Sequence, residues 1–99
     1  MQIQIRSIHF DAGEKLLNET TEKLARLEKL YDRIEKCNVI LKMEKNARKK
    51  QFVVEVRLAV PGEDLFASEQ AESFGRAADR VADDLKKQII KYKEKMKAY

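Results

Sequence analysis

The chain has one cysteine, one proline, three glycines, one histidine and no tryptophan in 99 residues. Each scarcity excludes something. A lone Cys37 forms no internal disulfide, and its place in an apolar run makes it a buried thiol rather than a reactive one. Gly13, Gly62 and Gly75 are isolated, so no glycine-rich loop cradles a phosphate. His9 stands alone and no second ligand lies at metal-binding spacing, so it reads as a cap or surface residue. No Ser-His-Asp or Cys-His set can be assembled. Asp83 and Asp84 are adjacent, splay apart on a helix and make a poor acid-base pair. These absences argue against an enzyme, a metal site, a cofactor or a small-molecule substrate. No apolar run reaches the length of a membrane span, and MQIQIRSIHF lacks the long apolar core of a signal peptide. A cytoplasmic protein with no membrane partner is the expectation.

What is present is charge. Charged residues make up 38% of the chain against 43% apolar, and the net charge is +4. The apolar share suffices for one core, and the length suits a single domain over residues 1–99. The charge is segregated. Residues 63–84 hold Glu63, Asp64, Glu69, Glu72, Asp79, Asp83 and Asp84 against only Arg76 and Arg80. Residues 86–99 hold Lys86, Lys87, Lys91, Lys93, Lys95 and Lys97 against Glu94 alone. A second basic knot is Lys45, Arg48, Lys49 and Lys50. Such segregation suits a polyanionic partner. Acids early and lysines late in a helix also complement its dipole, which is the plainer reading of the lysines taken by themselves.

Residues 2–8 alternate as a half-buried strand until Ile8 breaks the parity. Asp11, with Glu14 three residues on, offers a capping box for a helix from about Ala12 to about Leu30. Its inner stripe is Leu16, Leu17, Thr20, Leu24, Leu27 and Tyr31. Its outer face is an ordinary mixture of charges, with Arg26 and Lys29 the positions suited to binding. Residues 36–44 form a second strand with Cys37, Val39, Leu41 and Met43 on one face, and residues 45–50 a polar connection. Residues 51–60 form a third, with Phe52, Val54, Val56, Leu58 and Val60 inward. Pro61-Gly62 marks a turn, and residues 63–69 a short fourth strand in which Leu65 and Ala67 compete with Phe66 for the core. A long helix from Glu72 to Tyr99 follows. Phe74, Ala78, Val81, Leu85, Ile89, Tyr92 and Met96 recur on it at helical spacing. At about 100° per residue, Arg76, Arg80, Lys87 and Lys91 gather in a sector roughly 60° wide, nearly opposite that stripe.

The order β-α-β-β-β-α predicts an α+β two-layer sandwich. The last three strands form an antiparallel meander, the first strand returns through its helix to pair in parallel, and both helices cover one face of a four-stranded sheet. The other face is mixed (Asn38, Ile40, Lys42, Val53, Glu55, Arg57, Ala59) and solvated or lightly covered. The aromatic positions Phe52, Phe74 and Tyr92 fall on core faces. Stacking on single-stranded bases is therefore weakly supported, and recognition of folded RNA by shape and phosphate fits better. The candidate contacts are Arg26, Arg48, Lys49, Lys50, Arg76, Arg80, Lys87, Lys91, Lys93 and Lys95, each able to neutralise a phosphate and release counterions.

The runs RLEKLYDRIEKCNVILKMEK (Arg26 to Lys45), PGEDLFASE (Pro61 to Glu69) and DDLKKQIIKYKEKMK (Asp83 to Lys97) resemble the ribosome hibernation promoting factor family, which includes the ribosome-associated inhibitor and protein Y. The resemblance runs colinearly through essentially the whole chain. It implies the same β-α-β-β-β-α fold and no catalysis. It also implies binding to 16S ribosomal RNA in the decoding region of the small ribosomal subunit, where the factor blocks the messenger and transfer RNA sites in stationary phase or stress. Basic residues on the two helices would make the contacts. Arg26 matches the basic-Leu-Glu triplet at the end of the first helix, and Lys87, Lys91 and Lys93 match the basic positions of the last. Two departures stand out. Ser73-Phe74-Gly75-Arg76-Ala77-Ala78-Asp79 replaces the family's Asp-Met-Tyr-Ala-Ala-Ile-Asp, retaining Ala77 and Asp79. Asp84 exchanges a base for an acid, leaving Arg76 or Arg80 to compensate. The chain resembles the short class, without the second domain that pairs ribosomes in long members, and is expected to be a monomer when free. The alternatives are a general double-stranded-RNA-binding domain, which shares the α-β-β-β-α order, and a protein-interaction domain whose lysines serve solubility.

Overall fold

The computed structural model describes residues 1–45 and 48–97. Strands β1 (Gln2–Ile8), β2 (Lys36–Lys45), β3 (Lys50–Val60) and β4 (Glu63–Ala71) form one sheet in the order β1-β2-β3-β4. Helix α1 (Glu14–Ala25) follows β1, continues as a 3-10 turn over Arg26–Lys29, and leads to β2; helix α2 (Phe74–Lys97) follows β4. β1 runs parallel to β2, while β2, β3 and β4 are antiparallel neighbours. This is the expected β-α-β-β-β-α sandwich. The parts of the connection at residues 46–47 and of the last helix at residues 98–99 lie outside the described residues.

Alternation decides which side chains form the core. Ile3, Cys37 and Leu58 stand in one inward row, and Ile5, Val39 and Val56 in the next. Across β3 and β4, Leu58 pairs with Leu65 and Val56 with Ala67. That register settles the fourth strand: Leu65 and Ala67 are buried and Phe66 points to solvent, 48% exposed. From the helical layer, Leu24 and Leu27 meet Ala77, Ala78, Val81, Leu85 and Ile89 over the sheet. Phe74 packs edge-on against Phe52 and stacks on Phe10, with ring centroids 4.9 Å and 5.2 Å apart. Gly62 takes φ +88° in the turn after Pro61, a left-handed conformation that glycine adopts without a steric penalty.

Several local expectations are corrected. α1 starts at Glu14 behind an extended Gly13 and has no side-chain cap, so Asp11 and Glu14 do not form a capping box. The chain leaves β1 through exposed His9 in a left-handed conformation (φ +65°), and Phe10 is stacked on Phe74; together they carry the chain past Asp11 before the helix begins. The α-helix also ends at Ala25 rather than near Leu30, tightening into the 3-10 turn that buries Leu27. Met43 and Met96 occupy inward positions of their elements but are 42% and 49% exposed, because each lies near the end of its element, where the facing layer runs out. On the outer face of the sheet Val53, between Lys42 and Gln70 in its row, is only 6% exposed. The long stems of such neighbours cover apolar surface while their polar ends stay in water.

Candidate nucleic-acid interface

α2 is held at both ends. The Ser73 hydroxyl accepts the backbone N–H of Arg76 at 3.2 Å, an N-terminal cap. Near the other end Tyr92 donates its hydroxyl to the carbonyl of Pro61 and packs edge-on against Tyr31. With Val81, Leu85, Ile89 and Tyr92 buried, the helix is fixed in rotation and the opposite side must face water. Arg76, Lys87 and Lys91 are exposed there, and among the described residues none has a carboxylate within ion-pair distance.

The other candidate cations on α2 are exposed but engaged. Arg80 donates from its guanidinium to the carbonyl of Gln70 at 2.9 Å, across the open edge of β4. Lys93 donates to the carbonyl of Leu30 at 2.8 Å, and Lys95 pairs with Glu63 at 3.5 Å. All three are exposed. Such contacts contribute little stability at the surface and are readily exchanged for a phosphate.

Arg48, Lys49 and Lys50 are exposed where β2 turns into β3. The contact of Phe52 with Phe74 places that hairpin end beside the start of α2, whereas Tyr92 and Lys95 reach the β3–β4 turn at the opposite end. The body is 50 Å along its longest axis. The sequence-derived cations thus fall into two groups, one with Arg76 at the hairpin end and one around Lys87 to Lys95.

Arg26 lies apart from both, in a groove of about 640 Å³ between the end of α1 and α2. The groove is lined by Lys23, Arg26, Lys29, Asp79, Asp83 and Lys86 over a floor of Leu27, Leu30 and Ala82. Lys23 is neutralised internally by Asp79, whereas Arg26, Lys29 and Lys86 have no ion-pair partner among the described residues. Lys29 is named beside Arg26 by the sequence as suited to binding, whereas Lys86 is absent from the candidates read there. Lys86 follows buried Leu85 by about 100° around the helix, on the flank that α1 approaches. The helical wheel places it there, but only the packing of α1 makes that flank part of a site.

A carboxyl pair complicates the other flank. Glu69 on β4 hydrogen-bonds with Asp84 on α2, which raises the Glu69 pKa above the usual carboxylate value; desolvation and the charge of Asp84 add to this, and Arg80 opposes it. Asp84 thus faces a second carboxyl, and Arg80 acts on that neighbour, Glu69.

A family profile described as "Sigma 54 modulation protein / S30EA ribosomal protein" matches residues 3–97. The ribosome hibernation promoting factor of Pseudomonas putida is 37% identical over 98 residues, covering 99% of this chain and 92% of its own. That of Escherichia coli K12 is 32% identical over 99 residues, covering all of both chains. Among solved structures, a ribosomal subunit interface protein from Coxiella burnetii superposes with a TM-score of 0.85 at 24% identity, over 95% of this chain and 99% of its own. The N-terminal domain of Thermus thermophilus Protein Y superposes at 0.80 and 22% identity, over 93% and 99%. These two share the fold. Matched by one profile from residue 3 to residue 97 and similar along its whole length to named hibernation factors, the chain belongs to the Sigma 54 modulation protein / S30EA ribosomal protein family, the family of the ribosome hibernation promoting factors.

Proposed function

We propose that this protein is a ribosome hibernation factor that acts as one ribosome-binding domain. In this reading it binds 16S ribosomal RNA in the decoding region of the small subunit and inhibits translation by occupying the messenger and transfer RNA sites. The observation that carries the reading is that Arg76, Lys87 and Lys91 on the outward side of α2 and, separately, Arg26, Lys29 and Lys86 in the groove are all without carboxylate partners among the described residues. Lysine and arginine side chains set on rigid helices can meet phosphates without first breaking internal pairs, and each contact releases counterions. Arg48, Lys49 and Lys50 extend the reach at the hairpin end. The role is steric and needs no catalysis. No described helix is long and apolar enough to cross a membrane, and the proposed site of action is the cytoplasm.

Co-sedimentation tests the reading. The protein should travel with small subunits at low salt, leave them as salt rises, and compete with messenger and initiator transfer RNA. A protein that stays at the top of the gradient at low salt refutes ribosome binding. Equal affinity for plain RNA duplexes and for small subunits would favour a general duplex binder instead. Binding indifferent to salt and to charge reversal would favour a protein-interaction domain.

A further inference from the structure

The outer face of the sheet carries a second, chemically different surface. The strand registers align Gln4, Asn38, Arg57 and Phe66 as one straight row across all four strands. All four are exposed, including Phe66 at 48%. The guanidinium of Arg57 lies over the Phe66 ring, 5.5 Å from its centroid, and is steadied by Asp64 at 3.6 Å. Arg6 and Lys36 flank the row on the same face, exposed and without ion-pair partners among the described residues. The nearby carboxylates are engaged, Asp64 with Arg57 and Glu55 with Lys42 at 3.3 Å. A shallow depression of about 490 Å³ lies along Gln4, Arg6, Asn38 and Ile40.

We infer that this face binds a short stretch of unpaired RNA. A half-exposed phenyl ring and the guanidinium plane against it are both groups on which bases stack. Two amides in line with it can donate to and accept from base edges, and the two unpaired cations suit the phosphates on either side. The helices cover the opposite face of the sheet, so this surface is separate from the row on α2 and does not rest on the ribosomal reading. The aromatic was not assignable from alternation alone, since either parity of β4 was open.

The test uses the isotope-labelled full chain and a ten-nucleotide single-stranded RNA, with an RNA duplex of the same length as control. The single strand should shift the amide resonances of Gln4, Asn38, Arg57 and Phe66. Phe66→Ala should weaken binding about tenfold, the range expected for one lost base stack. Phe66→Tyr should retain it. Lys87→Glu with Lys91→Glu should leave the sheet-face shifts in place, so failure of the helical interface and failure of this one are distinguishable. Shifts confined to α2, or equal binding by Phe66→Ala, overturn the inference. So does a chain that binds no oligonucleotide yet loses ribosomes on Phe66→Ala, which would assign the face to a protein partner.

Discussion

Lys23 of α1 is ion-paired with Asp79 of α2 at 3.0 Å, and the same ammonium donates to the carbonyl of Gly75 at 3.0 Å. One side chain thus bolts the first helix to the opening turn of the second. Its charge is used inside the protein, although it lines the same cationic groove as Arg26, Lys29 and Lys86. Lys23→Met should lower stability by about 1 kcal/mol, the scale of a partly exposed charged pair with a hydrogen bond. Ribosome association should be nearly unchanged. Urea denaturation and co-sedimentation check the two halves. A large loss of association without a loss of stability would return Lys23 to the binding set.

The unpaired cations should behave in the opposite way. Lys87→Glu with Lys91→Glu, and separately Arg26→Glu with Lys86→Glu, should each abolish or strongly weaken association with small subunits. Stability should change by about 0.5 kcal/mol or less per site, as is usual for exposed positions free of internal contacts. Each reversal should also flatten the salt dependence of binding, because fewer counterions are released. Association at wild-type affinity in either variant would remove that row from the interface.

The contrast between Lys23 and Lys87 marks what periodicity can tell. Spacing gives phase. It set Val81, Leu85 and Ile89 against the sheet and turned Lys87 and Lys91 outward, and it gave the parity of β2 and β3. Spacing does not give coverage: Met43 and Met96 have the inward phase and stay exposed because no layer faces them. It does not choose between two apolar parities either, so Phe66 waited for the pairing of Leu58 with Leu65. Side-chain partners across elements are equally invisible to it. Asp79, Gln70 and Leu30 claim Lys23, Arg80 and Lys93 from distant points in the chain. The groove that brings Lys86 beside Arg26 and Lys29 exists only once the two helices are side by side.

Cys37 sits fully buried between Ile3 and Leu58 in its row, and burial pushes its thiol pKa up to about 12. The thiolate is the reactive form, so the native protein should react with a disulfide reagent at pH 8 only as fast as it opens. Denaturant should accelerate the reaction steeply, and stabilising the fold should slow it. Fast labelling in the native state would show that β2 opens locally. Cys37→Ser should cost about 1–3 kcal/mol by burying a hydroxyl in an apolar row.

Glu69 and Asp84 make stability depend on pH in an unusual direction. The hydrogen bond with Asp84 raises the Glu69 pKa in the folded protein. The folded chain therefore holds this proton more tightly than the unfolded chain does. The stabilisation is fully present below the unfolded pKa of Glu69 and is lost as pH rises through its higher folded pKa. Above that, two carboxylates face each other with Arg80 as partial compensation. Glu69→Gln replaces the shared proton with a permanent amide donor. Relative to Glu69→Gln, the wild type should be more favourable at acid pH than at neutral pH, the difference falling as pH rises. Urea unfolding of both proteins across that range measures it, and the comparison cancels the other carboxylates. A difference that stays flat with pH, or runs the other way, would mean that the two groups do not share a proton.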